Sequence, residues 1–164
     1  MPSPYREEHN QFRAMVRKFA ETEIAPYADE WESAGIFPRE IFKRAGELGI
    51  LGAHYREEHG GMGGDFWFSV VKSEELTRGT MAGVTMSLLV QADMATPVIS
   101  DLGTPEQIDE FLRPALRGDQ IVALGVSEPN AGSDVAGIQT TARRDGDDYE
   151  IGRASCRERV LMPV

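Results

Sequence analysis

The residues best suited to chemistry lie between Leu124 and Asp134, where Leu-Gly-Val-Ser-Glu-Pro-Asn-Ala-Gly-Ser-Asp follows directly on an apolar run. Glycine and asparagine reach backbone angles that most residues avoid, so a loop of this make-up can turn its amides and serine hydroxyls toward one point. Such a loop holds phosphate oxygens or ring acceptors. The competing reading is a tight connection in which Asn130 and Gly132 supply positive φ. Residue type alone leaves both open.

Other groups carry less. His54 and His59 are separated by Tyr-Arg-Glu-Glu and miss the i, i+4 spacing of a helical zinc motif, and no thiol lies near them in sequence. They read as solvated loop histidines, and no metal is expected. Gly60, Gly61, Gly63 and Gly64 precede a helix as phosphate loops do, yet the Lys-Ser/Thr of a P-loop is missing and Asp65 would repel an anion. That cluster reads as a turn. Glu74 or Glu75 could act as a base, but a carboxylate beside an apolar stripe is more commonly an arginine's partner, here Arg78.

The elements that must position the loop are mostly helical. From about Pro4 to Glu32, Phe12, Val16 and Phe19 share a stripe, Pro26 forces a break near Ala25, and Ala28 and Trp31 resume the face. Phe37-Pro38 opens a second helix carrying Ile41, Phe42, Ala45 and Leu48, with Gly49 as a left-handed stop. Asp65 caps a third, whose inward face is Trp67, Val70 and Val71. The fourth, about Ala82 to Ser100, is apolar nearly all round and is expected at the centre of a bundle. Thr104-Pro105-Glu106-Gln107 starts a fifth, with Ile108, Phe111 and Leu112 inward. After Gly118 the period changes: Ile121 to Val126 reads as a strand, and Thr140 to Ile151 as a hairpin around an Asp-Gly turn.

Bulk composition narrows the function classes. A hydrophobic content of 41% predicts a packed core, and a formal net charge of −10 argues against a nucleic-acid partner, which needs clustered Lys and Arg. The apolar stretch Met81 to Ile99 contains Gln91, Asp93 and Pro97, so it reads as a core helix and no membrane insertion is expected. The opening Met-Pro-Ser-Pro-Tyr-Arg-Glu-Glu lacks a secretory or organellar signal, and Cys156 is the single cysteine; both fit a cytoplasmic protein.

Ser127-Glu-Pro-Asn-Ala-Gly-Ser-Asp134 resembles the T/S-E-P-x-A-G-S-D signature of acyl-CoA dehydrogenases. The resemblance continues through Phe19-Ala-Glu-Thr-Glu-Ile-Ala-Pro26, Trp31-Glu32, Leu48-Gly49, Glu58-His-Gly-Gly-Met-Gly-Gly64, Glu74-Glu75-Leu76 and Leu102-Gly-Thr-Pro-Glu-Gln107, covering about residues 5–150. It implies a mainly α fold: an N-terminal helical bundle, then the start of an antiparallel β-domain, a truncated form of the family's architecture. It implies FAD as cofactor, an acyl-CoA substrate, an electron-transferring flavoprotein as electron acceptor, and a homo-oligomeric parent. By the same resemblance Leu124, Gly125, Val126, Ser127, Gly132 and Ser133 contact the flavin, Ser133 also meets the substrate's pantetheine end, and Leu88, Val90, Gln91, Asp93 and Ala95 line the acyl pocket. The family's catalytic base is a glutamate of the C-terminal helical domain, so no catalytic residue is assigned in this chain. Acyl-CoA oxidases and flavin monooxygenases share the plan and stay open as alternatives, as does a non-enzymatic helical interaction domain.

The expected organisation is a helical domain over 1–118, the first strands of a flavin-binding domain over 119–150, and a non-native tail over 151–164. Family members continue with a pattern near N-G-x-K-x-x-I-T-N, whereas Ile151-Gly-Arg-Ala-Ser-Cys-Arg-Glu-Arg-Val160 is what the codons of a common sequencing adapter would encode.

Overall fold

A computed structural model describes residues 4–78, 81–152 and 160–163. The chain forms two compact units, Met1–Leu124 and Gly125–Val164.

The first unit is helical. Helix α1, Glu7–Phe19, carries Glu7 and Glu8 in its first turn and Arg17 and Lys18 in its last, so charge opposes the helix dipole at both ends. It buries Phe12, Val16 and Phe19 as their spacing predicts. A wider π-helical turn, Ala20–Ile24, and a 3₁₀ turn, Ala25–Tyr27, then carry the chain past Pro26. Helix α2, Ala28–Ala34, ends at Gly35 with φ +67°. Helix α3, Glu40–Glu47, buries Ile41, Phe42 and Ala45, and Gly49 takes φ +73°, the left-handed stop expected of it. The glycine cluster is a loop, entered by a 3₁₀ turn at Glu57–His59.

Helix α4, Phe66–Thr77, is capped by Asp65, whose carboxylate accepts from the Trp67 amide at 3.0 Å. Its inner face differs from the expected one: Phe68, Val71, Lys72, Glu75 and Leu76 are buried, while Trp67 and Val70 are only partly covered. The buried face includes two charged residues, Lys72 and Glu75, that apolar periodicity ignores.

Beyond Met81 come α5, Ala82–Leu89, a π-helical turn, Val90–Ala95, and α6, Pro97–Leu102. Among the described residues, Ala82–Leu102 is the one helical run long and apolar enough to cross a bilayer. It is not enclosed on all sides as its composition suggested. Val84, Leu88, Ala92 and Ala95 enter the core, but Met86, Met94, Val98 and Leu102 are exposed. Thr104 and Gln107 form the expected reciprocal cap at the start of α7, Pro105–Gln107, which runs through a π-helical turn, Ile108–Leu112, into α8, Arg113–Leu116. Of the three residues expected inward here, Leu112 is buried, Ile108 is half-buried and Phe111 is exposed. The π turn rotates the later residues away from a uniform helical stripe.

Two glycines let backbone meet backbone where α3 passes the end of α8. A Cβ on Gly46 would strike the Arg117 carbonyl, and one on Gly118, at φ +72°, would strike the Phe42 carbonyl. Lys43 and Asp119 pair beside this seam.

The second unit holds β1, Thr141–Asp145, β2, Asp148–Gly152, and β3, Val160–Pro163, an antiparallel sheet in the order β1-β2-β3. In the hairpin Asp145 pairs with Asp148, so the connection is Gly146-Asp147, with φ +66° at Gly146, and not a turn centred on Asp145-Gly146. Of the tail read as non-native, Ile151 and Gly152 extend β2 and Val160–Pro163 form β3; residues 153–159 and 164, Cys156 among them, lie outside the described residues.

Helices α1 and α4 are tied by Glu75. Its carboxylate is fully buried and accepts from Arg13 at 2.7 Å and from Arg17 at 2.7 and 3.1 Å, with Arg78, the partner expected from spacing, more distant at 3.7 Å. The Arg17 hydrogen bonds, followed by those of Arg13 against the opposing effect of burial, hold this carboxyl below its ordinary range. A depressed carboxyl contributes stability at pH above its unfolded value, about 4.3, and that stability disappears as pH falls through the lower folded value. Denaturant titrations of the chain from pH 7 to 2 are therefore expected to show a loss of stability below about pH 4. Glu75→Gln lowers stability at neutral pH by about 2 kcal/mol and makes the acid limb shallower; an unchanged acid limb in the variant contradicts the assignment.

Candidate functional site

Gln91 projects from the π turn Val90–Ala95 and is 1% exposed. Its Nε2 donates to the Ala115 carbonyl at 2.8 Å and the Gln120 carbonyl at 3.1 Å, while Oε1 accepts from the Val122 amide at 3.1 Å. One side chain thus binds the last helical turn and the chain's exit from it. This explains why the first unit runs to Leu124, beyond the boundary at 118 that composition suggested.

The strand expected over Ile121 to Val126 is absent; those residues have no regular structure. A strand exists only by sharing ladder hydrogen bonds with a neighbour, and no described residue supplies that edge. Among the described residues none accepts from the amides of Leu124, Gly125 or Val126. Ile121, Leu124 and Val126 are each more than two-fifths exposed. Apolar side chains and unpaired amides therefore alternate along one short segment.

The loop that follows is closed on itself. The Glu128 amide donates to the Ala131 carbonyl at 2.8 Å and the Ala131 amide donates back at 3.2 Å, around Pro129-Asn130. Ser127 and Gly132 consequently leave this bridge side by side, followed by exposed Ser133. Gly132 does not take the left-handed φ that the tight-connection reading gave it. Its lack of a side chain matters differently: a Cβ there would meet nothing within 4 Å, so its face is open. Glu128, which residue-type reasoning passed over, is buried, and its carboxylate accepts from the amides of Gln139 and Thr140, both at 2.9 Å, and from the Thr140 hydroxyl. No local spacing connects residue 128 to residues 139 and 140, so only the fold could reveal this.

Residues 6–119 match the acyl-CoA dehydrogenase N-terminal domain family. The chain belongs to the acyl-CoA dehydrogenase family. It is 42% identical over 142 residues to the mitochondrial long-chain specific acyl-CoA dehydrogenase of Rattus norvegicus, covering 87% of this chain and 33% of that protein. Among solved structures, the acyl-CoA dehydrogenase of Geobacillus kaustophilus is 40% identical with a TM-score of 0.84, covering 93% of this chain and 40% of that one. The Bacillus anthracis acyl-CoA dehydrogenase complexed with FAD is 28% identical with a TM-score of 0.79, covering 92% of this chain and 26% of that one. The chain thus spans about a third of the length of the curated relative it matches.

The helical run expected to line an acyl pocket carries polar residues on one side. Leu88, Gln91 and Ala95 are absorbed by the core, which leaves Val90 and Asp93 partly exposed. Asp93 accepts from Lys72 Nζ at 2.8 Å, and His54 Nδ1 lies 3.7 Å from the same oxygen. Lys72 is buried, and burial lowers its pKa despite the Asp93 charge. Burial, then the Lys72 charge, lowers that of His54. The histidines are not the solvated pair the sequence suggested: His59 is buried, with Nδ1 3.0 Å from the Ser100 hydroxyl, and His54 is three-quarters covered. His9 is also buried. Its Nδ1 accepts from the Arg6 amide at 2.9 Å, leaving Nε2 to donate to Asp65 at 2.9 Å. No described cluster of His, Cys, Asp or Glu could hold a metal.

The Lys72–Asp93 pair is asymmetric, since the lysine is enclosed while the carboxylate is 27% exposed. Asp93→Asn leaves a charge buried without its counterion and is expected to cost about 3 kcal/mol or more in chemical denaturation. Lys72→Met leaves Asp93 within reach of water and is expected to cost roughly 1 kcal/mol. Equal losses for the two variants contradict the buried-lysine geometry.

Proposed function

We propose that the parent of this chain is an FAD-dependent acyl-CoA dehydrogenase that converts an acyl-CoA thioester to the trans-2-enoyl form, and that this chain supplies part of its flavin-facing wall. The observation that carries the reading lies within the second unit: the amides of Gly125 and Val126 are unpartnered among the described residues and the face of Gly132 is open, all within the family signature or directly before it. These features fit a flavin. Apolar Leu124 and Val126 suit the faces of an aromatic ring, and fixed donors suit its electron-poor edge, where negative charge develops during reduction. FAD, when bound, supplies the hydride acceptor.

Within this frame the chain binds and orients. The Val126 amide and the Ser127 hydroxyl would hold the ring, Gly132 would admit it closely, and Ser133 would meet the flavin and the pantetheine end of the substrate. Glu75 is withdrawn from proton transfer by its two arginines. The α-proton is removed by a glutamate of the parent's later helical domain, following the family resemblance. Electrons then pass to an electron-transferring flavoprotein, and the parent assembles as a homo-oligomer, both assigned on the same resemblance. We assign a cytoplasmic location on the absence of any cysteine from residues 1–150.

Expression of the full-length parent tests the reading. It is expected to purify with a bound yellow flavin that an acyl-CoA bleaches anaerobically, yielding the trans-2-enoyl product, whereas the 164-residue chain shows negligible turnover after incubation with FAD. Peroxide formed aerobically without a protein acceptor identifies an oxidase. A full-length parent that binds no flavin supports a non-enzymatic helical domain and overturns the proposal.

A further inference from the structure

We propose that Glu128 is a positioning residue for flavin: its carboxylate holds the signature loop from behind and so sets the environment that Ser127 and Gly132 present. The proposal rests on the flavin-binding reading above, and the geometry that motivates it lies wholly within the second unit.

Glu128 is 8% exposed, and both of its carboxylate oxygens are occupied by donors. Oε2 accepts from the Gln139 amide and Oε1 from the Thr140 amide, each at 2.9 Å, and Oε1 also accepts from the Thr140 hydroxyl. Consecutive amides at the entry to β1 are thus gathered on one side chain. The backbone of the same residue closes the loop's neck against Ala131, which is 2% exposed. Glu128 is therefore the point where the loop's own closure and its attachment to the sheet coincide.

An ionised carboxylate suits this place because the Gln139 amide, the Thr140 amide and the Thr140 hydroxyl all donate to it, and charge-assisted bonds to backbone amides are among the stronger ones available. Glutamine has nearly the same shape but offers a single acceptor oxygen, so its NH₂ would face an amide donor. The attachment loosens while the loop's residues stay unchanged. Because fixed donors act on a bound ring through distance and angle, small shifts in Ser127 alter the ring's electronics without altering its chemistry.

The test uses the full-length parent as holoenzyme, with absorption spectrum, midpoint potential, FAD affinity and thermal midpoint measured together. Glu128→Gln is expected to raise the Kd for FAD about tenfold and, at saturating FAD, to move both the visible absorption band and the potential. Thr140→Val, which removes one donor and keeps both amides, is expected to give a smaller shift in the same direction, and Thr140→Ser to restore native values. A lower thermal midpoint with native spectrum and potential in the bound flavin would show an ordinary stability role and overturn the proposal. If Glu128→Gln does not fold, Thr140→Val decides alone, and a native spectrum and potential there overturn it. Absence of flavin from the unmodified parent would instead overturn the underlying functional reading.

Discussion

The first unit depends on the amide of Gln91. A buried side-chain amide must satisfy both its ends, and this one does so entirely on backbone: two carbonyls, at Ala115 and Gln120, and one N–H, at Val122. The side chain replaces a neighbouring strand that the described residues do not provide, and it fastens Gln120 and Val122 to the last helical turn. The π turn from Val90 to Ala95 places Gln91 inward at the height of that exit. Glu128 repeats the device in the second unit, with a carboxylate in place of the amide and consecutive N–H groups in place of the mixed set. In both cases a polar side chain acts where regular hydrogen bonding has run out.

Charge inside the bundle follows a related rule. Helix α4 turns Lys72 and Glu75 toward its neighbours, and each is met by opposite charge from another element, Asp93 for the lysine and Arg13 with Arg17 for the glutamate. Bare burial of either would be unfavourable by several kcal/mol, so these residues restrict which helices can pack together and in what register. His9 does the same at the helix starts, linking the first turn of α1 to the Asp65 cap of α4. Apolar contacts close the bundle, and these polar pairs select its arrangement.

Helix existence was legible wherever a start signal and a stripe coincided: Asp65 before α4, Thr104-Pro105 before α7, and Phe12, Val16 and Phe19 along α1 all do in the structure what their spacing implies. Facing was less legible. Periodicity treats a buried lysine as a surface residue, and a π turn shifts the stripe without any change in composition, which is why Phe111 and Met94 are exposed and Lys72 is enclosed. Ile121 to Val126 has every local property of a strand, but a strand needs an edge to pair with, and propensity cannot supply one. The signature loop was recognisable as a family motif from its residues. Its supporting carboxylate was not, because Glu128 reaches partners whose sequence positions share no pattern with it.

The seam between α3 and α8 has a genetic corollary. Gly46 and Gly118 each leave no room for even a methyl group, and what stands in the way is a carbonyl of the opposing main chain, which cannot rotate aside as a side-chain tip could. Apart from a stop, a glycine codon becomes an alanine, valine, serine, cysteine, arginine, tryptophan, aspartate or glutamate codon through a single change in its first or second base. Every one of those residues carries the atom that does not fit, so neutral drift at these two codons is confined to the third base.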